Sequence, residues 1–181
     1  MTVEIIDYQD QWQAVKNAAM NTIGKDSGKY PSDDWKFRIL KAEHSPIRLI
    51  EFTVRLRNVP YWVSVHLTRH KIGVEHWVRT QRTDRTGTDR NGLPQNAPVE
   101  HTMRINAQAL INISRKRLCS QASDETRYTW FSIIEAIRDI EPEIAAVCVP
   151  ECVYRGHCPE MQTCGFTDTA KYKMQRTLYE G

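Results

Sequence analysis

A short segment of alternating side chains constrains the fold most. Apolar residues occupy every second position between 50 and 56, namely Ile50, Phe52, Val54 and Leu56. This period of two predicts a strand with one buried face. Pro60 follows soon after and suits the first turn of a helix, which we expect to run from Tyr61 to about His70. A sheet and helices must therefore share the core.

The rest of the chain predicts further helices and one further strand. The expected elements are a strand at 3–8 and helices at 12–23, from Ser32 to about 40, at 106–121 and at 123–140. Residues 79–104 are poor in apolar side chains and are expected to form an extended loop, and the cysteine-rich tail 150–181 to be irregular. Because strands and helices do not alternate in a βαβ rhythm, the predicted fold class is α+β, an antiparallel or mixed sheet packed with helices.

Length and charge limit the possible classes of protein. The 181 residues suit one domain, 1–181, and the net charge of +3 is too small for a dedicated nucleic-acid binder. We therefore expect no stable nucleic-acid partner. No apolar run approaches the roughly 18 residues of a membrane span, and no signal peptide is visible. Five cysteines without an export signal favour the cytoplasm.

Basic side chains are concentrated between positions 69 and 90. They are Arg69, Lys71, Arg79, Arg82, Arg85 and Arg90. A solvated basic loop would explain them. The alternative hypothesis is an anion site, because the planar fork of arginine matches phosphate. The run Arg69-His70-Lys71 favours a site, since such groups at the end of a packed helix are costly unless they meet a ligand.

Polar residues also interrupt the apolar pattern of the helix predicted at 106–121. Asn106, Asn112 and Arg117 are each explained by an ordinary structural role: a helix cap, a satisfied core amide and a surface charge. Together they could instead form the polar face of a site. The sequence by itself supports an α+β domain that binds something anionic.

Four cysteines follow one another closely near the C-terminus. Cys148, Cys152, Cys158 and Cys164 lack the paired C-x2-C spacing of common zinc sites. Structural zinc and packed thiols therefore both remain open. Cys119, on the helix before them, is expected in the core.

Several blocks of the sequence carry motifs of one known family. One is Ser45-Pro46 with Phe52-Thr53-Val54, and a second is Arg69-His70-Lys71, similar to the Arg-His-Arg of the family signature. Others are Arg90-x-x-Leu93-Pro94 and a helix pattern through Asn106-Ala107, Leu110, Asn112, Arg117-Leu118-Cys119, Ala122, Glu125 and Arg127. The last is the tail from Pro150 through Cys152 and Cys158-Pro159-Glu160 to Cys164-Gly165. These blocks resemble the flavin-dependent thymidylate synthases, and the helix pattern is the most specific of them.

This resemblance implies an FAD enzyme that moves the methylene of methylenetetrahydrofolate to C5 of dUMP and forms dTMP, with NADPH reducing the flavin. It also implies a homotetramer with active sites between subunits. No cysteine nucleophile is needed in that chemistry, and no metal is expected in the site.

The resemblance assigns roles to individual residues. The implied cofactor contacts are Arg69, His70, Lys71, Asn106, Gln108 and Asn112. The implied substrate contacts are His66, Arg69, Thr80, Arg82, Arg90 and Arg117. Arg117 is the expected catalytic residue, because a fixed positive charge at the uracil edge favours the N3-deprotonated ring and a more nucleophilic C5.

Departures from the family pattern keep alternatives open. His76-Trp77 stands where Asn-Glu is expected, and His66 stands where a glutamine is frequent. Lys71 and Gln108 each replace an arginine. Val74 replaces a serine, Thr83 replaces a tyrosine, and Arg48-Leu49 replaces Glu-His. The segment between Arg69 and Arg90 is also shortened. One alternative is C5 methylation or hydroxymethylation of another pyrimidine nucleotide such as dCMP. A further one is a non-catalytic module that binds nucleic acid and zinc.

Overall fold

The computed structural model describes the whole chain, Met1–Gly181, and confirms the α+β class. Four strands form one antiparallel sheet in the order β1-β2-β4-β3. Their bounds are β1 Thr2–Tyr8, β2 Glu51–Pro60, β3 Val74–Val78 and β4 Pro98–Asn106. The α-helices are α1 Trp12–Asn21, α2 Asp33–Lys41, α3 Tyr61–Leu67, α4 Thr83–Thr86, α5 Ala107–Arg117, α6 Asp124–Arg138, α7 Pro142–Val147, α8 Glu151–Arg155 and α9 Ala170–Glu180.

The elements with the clearest sequence patterns form as predicted. In β2 the alternating residues Phe52, Val54 and Leu56 are fully buried, and the strand pairs with β1 on one side and β4 on the other. At the start of α2 the hydroxyl of Ser32 accepts a hydrogen bond from the backbone N–H of Trp35 at 3.3 Å. This N-cap contact begins the helix that the sequence predicts from Ser32.

The prediction of an extended loop over 79–104 is wrong at its C-terminal end. There β4 buries Val99, His101, Met103 and Ile105 on alternate positions. The buried histidine hides this alternation from a count of apolar residues. Strand β3 was not predicted at all, since it is a short edge strand with only Val74 buried.

The prediction of an irregular tail over 150–181 is also wrong in large part. The tail contains α8 and α9, and the hydroxyl of Thr169 caps α9 by accepting from the backbone N–H of Tyr172 at 3.1 Å. Buried Tyr172 and Tyr179 attach α9 to the core. Residues 156–165 between the two helices do remain irregular.

One cluster of 33 buried hydrophobic residues fills the space between the sheet and the helices. Two long helices of this layer, α5 and α6, are joined by a buried hydrogen bond from the indole N–H of Trp130 to the hydroxyl of Ser114, at 2.8 Å. This contact fixes the C-terminal end of α5, where Arg117 lies. None of the helices is both long and apolar enough to cross a membrane.

Candidate functional site

The candidate site is centred on Arg117, at the C-terminal end of α5. Its Nε–H donates to Nε2 of His70 at 2.9 Å, and an Nη2–H donates to the backbone carbonyl of His66 at 3.2 Å. Burial, and next the positive charge of Arg69, lower the pKa of Arg117. The end of α3 and the turn after it therefore bring together His66, Arg69, His70 and Arg117, four of the residues that the sequence singled out.

His70 is a neutral hydrogen-bond acceptor in this arrangement. A guanidinium can only donate, so Nε2 of His70 carries no proton and the tautomer is assigned as Nδ1–H. Burial, followed by the charge of Arg117, lowers the pKa of His70 to about 4. The imidazole stays uncharged at neutral pH and keeps its lone pair directed at Arg117.

A chain of hydrogen bonds runs from the sheet to the same turn. The hydroxyl of Ser64 lies 3.0 Å from Nδ1 of His101, Nε2 of His101 lies 2.9 Å from Nδ1 of His76, and Nε2 of His76 lies 2.8 Å from the carbonyl oxygen of His70. We call these groups the histidine chain. Burial, and next the proximity of His76, lower the pKa of His101 to about 4.

Sequence reasoning did not identify this chain. The sequence marks His76 only as a departure from a family pattern, and His101 falls within the loop predicted over 79–104. The signal was nevertheless present, because His101 falls in phase with Val99, Met103 and Ile105 on the buried face of β4. A polar residue in such a position needs a hydrogen-bond partner, and that partner marks the site.

The turn after α3 contains Arg69, His70 and Lys71, and we call it the cationic turn. Asn106 and Gly73 join this turn to the start of α5. The side-chain oxygen of Asn106 caps α5 by accepting from the backbone N–H of Ala109 at 2.9 Å, and the backbone N–H of Asn106 donates to the carbonyl of Gly73 at 3.0 Å. Gly73 has a φ of +74°, and a Cβ there would lie 2.7 Å from the Asn106 side chain. Only glycine allows this close approach.

Gln108 and Asn112 lie on a different face of α5. The side-chain amide of Gln108 donates to Glu43 at 2.7 Å and to Asn112 at 3.3 Å, and Arg115 is paired with the same Glu43. Nine residues, or about two and a half helical turns, separate Gln108 from Arg117, so their side chains leave the helix on opposite sides. One copy of the chain therefore does not bring these amides to the cationic turn.

The remaining predicted contacts lie in the exposed segment between β3 and β4. The guanidinium of Arg82 is engaged by Asp84, at 3.0 Å and 2.7 Å, and Thr80 accepts from the backbone N–H of Arg82 at 3.2 Å. The Arg90 side chain is exposed, and only its backbone N–H is bonded, to the hydroxyl of Thr83 at 3.3 Å. Arg90 is thus available to an anion, whereas Arg82 would have to leave its partner.

His66 lies between the cationic turn and α6. Its Nδ1 is 3.3 Å from the hydroxyl of Thr126, and the edge of its ring meets Trp62. Burial, then the charges of Arg117 and Arg69, lower the pKa of His66. A neutral imidazole is therefore favoured next to the two arginines.

A separate cavity of about 1000 Å³ lies between α6 and the tail. All five cysteines line it, and all are unpaired, so the expected core position of Cys119 is replaced by a cavity wall. Burial raises the pKa of Cys148 to about 12. No three His, Cys, Asp or Glu side chains are arranged at metal-binding distance. The charges and hydrogen bonds around Arg117 define a ligand chemistry, which the lining of this cavity does not.

A half-buried cation without an acidic partner, placed beside an exposed cationic turn on an α+β scaffold, is suited to binding an anionic ligand. Comparison with solved structures identifies proteins that share this fold. The flavin-dependent thymidylate synthase ThyX of Helicobacter pylori, complexed with FAD and dUMP, superimposes with a TM-score of 0.64 at 13% identity over 82% of this chain and 100% of that one.

Two further structures show the same likeness. The UMP/dUMP methylase PolB of Streptomyces cacaoi, bound with 5-Br dUMP, gives a TM-score of 0.63 at 15% identity over 81% of this chain and 93% of its own. A second ThyX structure from Helicobacter pylori, with FAD and dUMP, gives 0.59 at 13% identity over 75% and 93%. No family model and no curated protein sequence matches the chain. At these identities the finding is one of fold, and the fold is that of the flavin-dependent thymidylate synthases.

Proposed function

We propose that this protein is a flavin-dependent enzyme that transfers the methylene of methylenetetrahydrofolate to C5 of dUMP and reduces it to give dTMP. The observation that carries the proposal is Arg117. It is half-buried, has no carboxylate partner, and is oriented by hydrogen bonds to His70 and to the carbonyl of His66. A cation kept in this state is ready to bind an anionic or strongly hydrogen-bonding ligand.

Arg117 has a chemical task in this proposal. With Nε and one Nη2–H already engaged, its Nη1 amino group is left for the ligand. Placed at the uracil edge, the positive charge lowers the pKa of N3 and favours the deprotonated ring, which makes C5 more nucleophilic. The exposed Arg90 is the proposed phosphate contact, with Arg82 and Thr80 joining it once Asp84 releases Arg82.

The residues of the cationic turn fit the phosphates of FAD. Arg69 and Lys71 are exposed, and neither has an ionic partner to displace. Bound FAD supplies hydride transfer, with NADPH proposed as its reductant. Asn106 keeps its Nδ2 amino group for the cofactor, since its oxygen caps α5.

Gln108 and Asn112 fit only a flavin held by the cationic turn of another copy, because they lie across the helix from Arg117. The proposed tetramer with sites between subunits meets this requirement.

A second candidate keeps the same site and changes the nucleotide. His66 lies beside Arg117 at the position where the family pattern has a glutamine, and its neutral imidazole presents a different hydrogen-bonding edge. This favours C5 methylation or hydroxymethylation of another pyrimidine nucleotide, such as dCMP. The fold also includes a protein named as a UMP/dUMP methylase, so UMP belongs in the same test.

The non-catalytic alternative has less support. A module that binds nucleic acid through the basic segment and zinc through the tail requires free arginines and clustered ligands. Arg69 and Arg90 are exposed and have no carboxylate partner, but no cluster of metal ligands is formed. That hypothesis predicts stoichiometric zinc, no flavin, and affinity for nucleic acid that falls steeply with salt.

The test is a titration of the visible flavin spectrum. Purified protein is saturated with FAD, and dUMP, dCMP and UMP are added separately before turnover is measured with methylenetetrahydrofolate and NADPH. We expect dUMP to perturb the bound flavin and dTMP to form. Perturbation and turnover with dCMP or UMP alone would favour the second candidate. Failure to bind FAD at any concentration would overturn both.

A further inference from the structure

The histidine chain has no role in the chemistry proposed above, although it ends at the turn that orients Arg117. His101 lies on the buried face of β4, His76 lies on the neighbouring β3, and the chain terminates at the carbonyl of His70. His76 also occupies one of the positions where the sequence departs from the family pattern. A specific function for the chain would account for both facts.

The direction of every hydrogen bond in the chain follows from its ends. The carbonyl oxygen of His70 can only accept, so Nε2 of His76 carries a proton. In a neutral His76, Nδ1 is then an acceptor, and His101 must donate to it from Nε2. Nδ1 of neutral His101 in turn accepts from the hydroxyl of Ser64. All the bonds therefore point from the interior of the protein toward the turn.

The turn itself has few other attachments. Between α3 and β3, the backbone N–H of His70 donates to Leu67 at 3.1 Å, and the carbonyl of Gly73 accepts from Asn106 at 3.0 Å. The residues between these two points are exposed or half-buried. The bond from His76 is thus the contact that ties the backbone of His70 to the sheet.

We propose that His76 and His101 are positioning residues of this site, which hold the His70 carbonyl so that the His70 imidazole meets Arg117. Neither residue needs to touch the ligand. His101 fixes the tautomer and orientation of His76, His76 fixes the backbone of His70, and His70 fixes the guanidinium. The consequence for nucleotide affinity rests on the proposed function, whereas the consequence for Arg117 does not.

The first measurement is of tautomers and needs no ligand. In the wild-type protein labelled with ¹⁵N-histidine, NMR should assign Nε2–H to His76 and His101 and Nδ1–H to His70 at neutral pH. Substitution of each histidine in turn assigns its signals. The opposite tautomer at His76 or His101 would overturn the proposal, because the chain would then run the other way.

The second measurement follows the Nε–H proton of Arg117, which is identified by its loss in Arg117→Lys. In His76→Ala we expect this proton to exchange with water about tenfold faster, since its acceptor is no longer held in place. His76→Gln keeps an amide N–H that reaches the His70 carbonyl, and it should restore slow exchange. His157→Gln, at an exposed position in the tail, is the matched control and should change nothing.

Nucleotide binding provides the last comparison. With FAD present, the Kd for dUMP should rise about tenfold in His76→Ala and return toward the wild-type value in His76→Gln. Unchanged exchange of the Arg117 proton in His76→Ala, or no rescue by glutamine, would overturn the positioning role. If the wild-type protein binds no nucleotide, the proposed function fails, and the two NMR measurements still decide the role of the histidine chain.

Discussion

Two arginines on α5, only two positions apart, are treated in opposite ways by the fold. Arg115 is paired with Glu43, and its guanidinium carbon lies 3.6 Å from the centre of the Tyr154 ring. Arg117 has no acidic partner and is held by a neutral imidazole and a carbonyl oxygen. Arg115 is neutralised where it lies, whereas the charge of Arg117 is oriented and left uncompensated.

The difference originates in the elements that meet each side of the helix. Glu43 follows α2 in a left-handed conformation with a φ of 49°, which is uncommon for a residue with a side chain and directs its carboxylate at Arg115. The turn after α3 presents only uncharged acceptors to Arg117. Removing one partner of a buried ion pair destabilises a fold, whereas a charge without a counter-ion is available to a ligand.

The largest expected effect comes from exchanging the two arginines for alanine. Arg117→Ala should lower turnover of the proposed reaction by roughly 10²–10³-fold, because it removes the cation that stabilises the reacting ring. Its thermal unfolding and FAD binding should stay close to wild type. Steady-state kinetics measure turnover, a flavin titration measures FAD binding, and thermal denaturation measures stability.

Arg115→Ala is the matched variant on the other face. It leaves Glu43 without its cation in a largely buried position and should lower the free energy of unfolding by about 3 kcal/mol. Denaturant unfolding measures this loss. Normal turnover in Arg117→Ala, or unfolding of Arg117→Ala with an unaffected Arg115→Ala, would reverse the roles assigned to the two side chains.

A smaller loss is expected at the junction between the cationic turn and α5. Gly73→Ala places a methyl group against the Asn106 side chain at a φ of +74°, which strains the turn and disturbs the cap of α5. We expect a loss of about 2 kcal/mol in the free energy of unfolding together with weaker FAD binding. Gly87→Ala also sits at a positive φ, but with open space around its Cβ position, and separates backbone strain from the clash. Equal effects of the two variants would contradict the clash with Asn106.

Acid should lower the free energy of unfolding through His70 and His101, two histidines on the Arg117 side of α5. The pKa values of His70 and His101 are lowered to about 4 from the ordinary 6.5, so the unfolded chain takes up protons at higher pH than the folded one. Their contribution to stability is complete above pH 6.5 and is lost as the pH falls from there toward 4. The free energy of unfolding of His101→Gln should therefore depend less on pH across that interval than that of wild type. His157→Gln serves as the control, and parallel curves for wild type and His101→Gln would exclude the effect.

The sequence predicted the fold best where one local pattern decides the structure. The alternation in β2, the helix start at Ser32 and the helices predicted at 106–121 and 123–140 depend on local patterns, and each element formed. Strand β3 was not predicted because an edge strand buries few side chains and forms only with β4 beside it. Helix α9 was not predicted because its burial depends on two tyrosines that pack against distant parts of the chain.

The candidate site was predictable in its charges and not in its geometry. Arg69, His70 and Arg117 were singled out from residue types and from a family resemblance, and the structure brings them together. The separation of Gln108 from Arg117 follows from helical geometry and was available from the sequence. The phase of His101 on β4 was available too, but its pairing with His76 was not, because that pairing depends on the register that places Val78 opposite His101 and His76 opposite Met103.

The smallest expected effect lies in the exposed segment, and it extends the comparison of paired and unpaired cations to the protein surface. Arg90 has no partner, so Arg90→Gln should weaken nucleotide binding by about tenfold, the value of one phosphate contact, without changing stability. Arg82→Gln should cost less, since part of its interaction with phosphate is offset by the lost bond to Asp84. Arg85→Gln, exposed and on the same segment, is the control for net charge.

Calorimetric titration of the FAD-loaded variants with dUMP gives the three affinities. Equal losses in all three would mean that the segment acts only through its overall charge, whereas a loss confined to Arg90 would show that an uncompensated arginine at the surface, like Arg117 within the fold, is kept for the ligand.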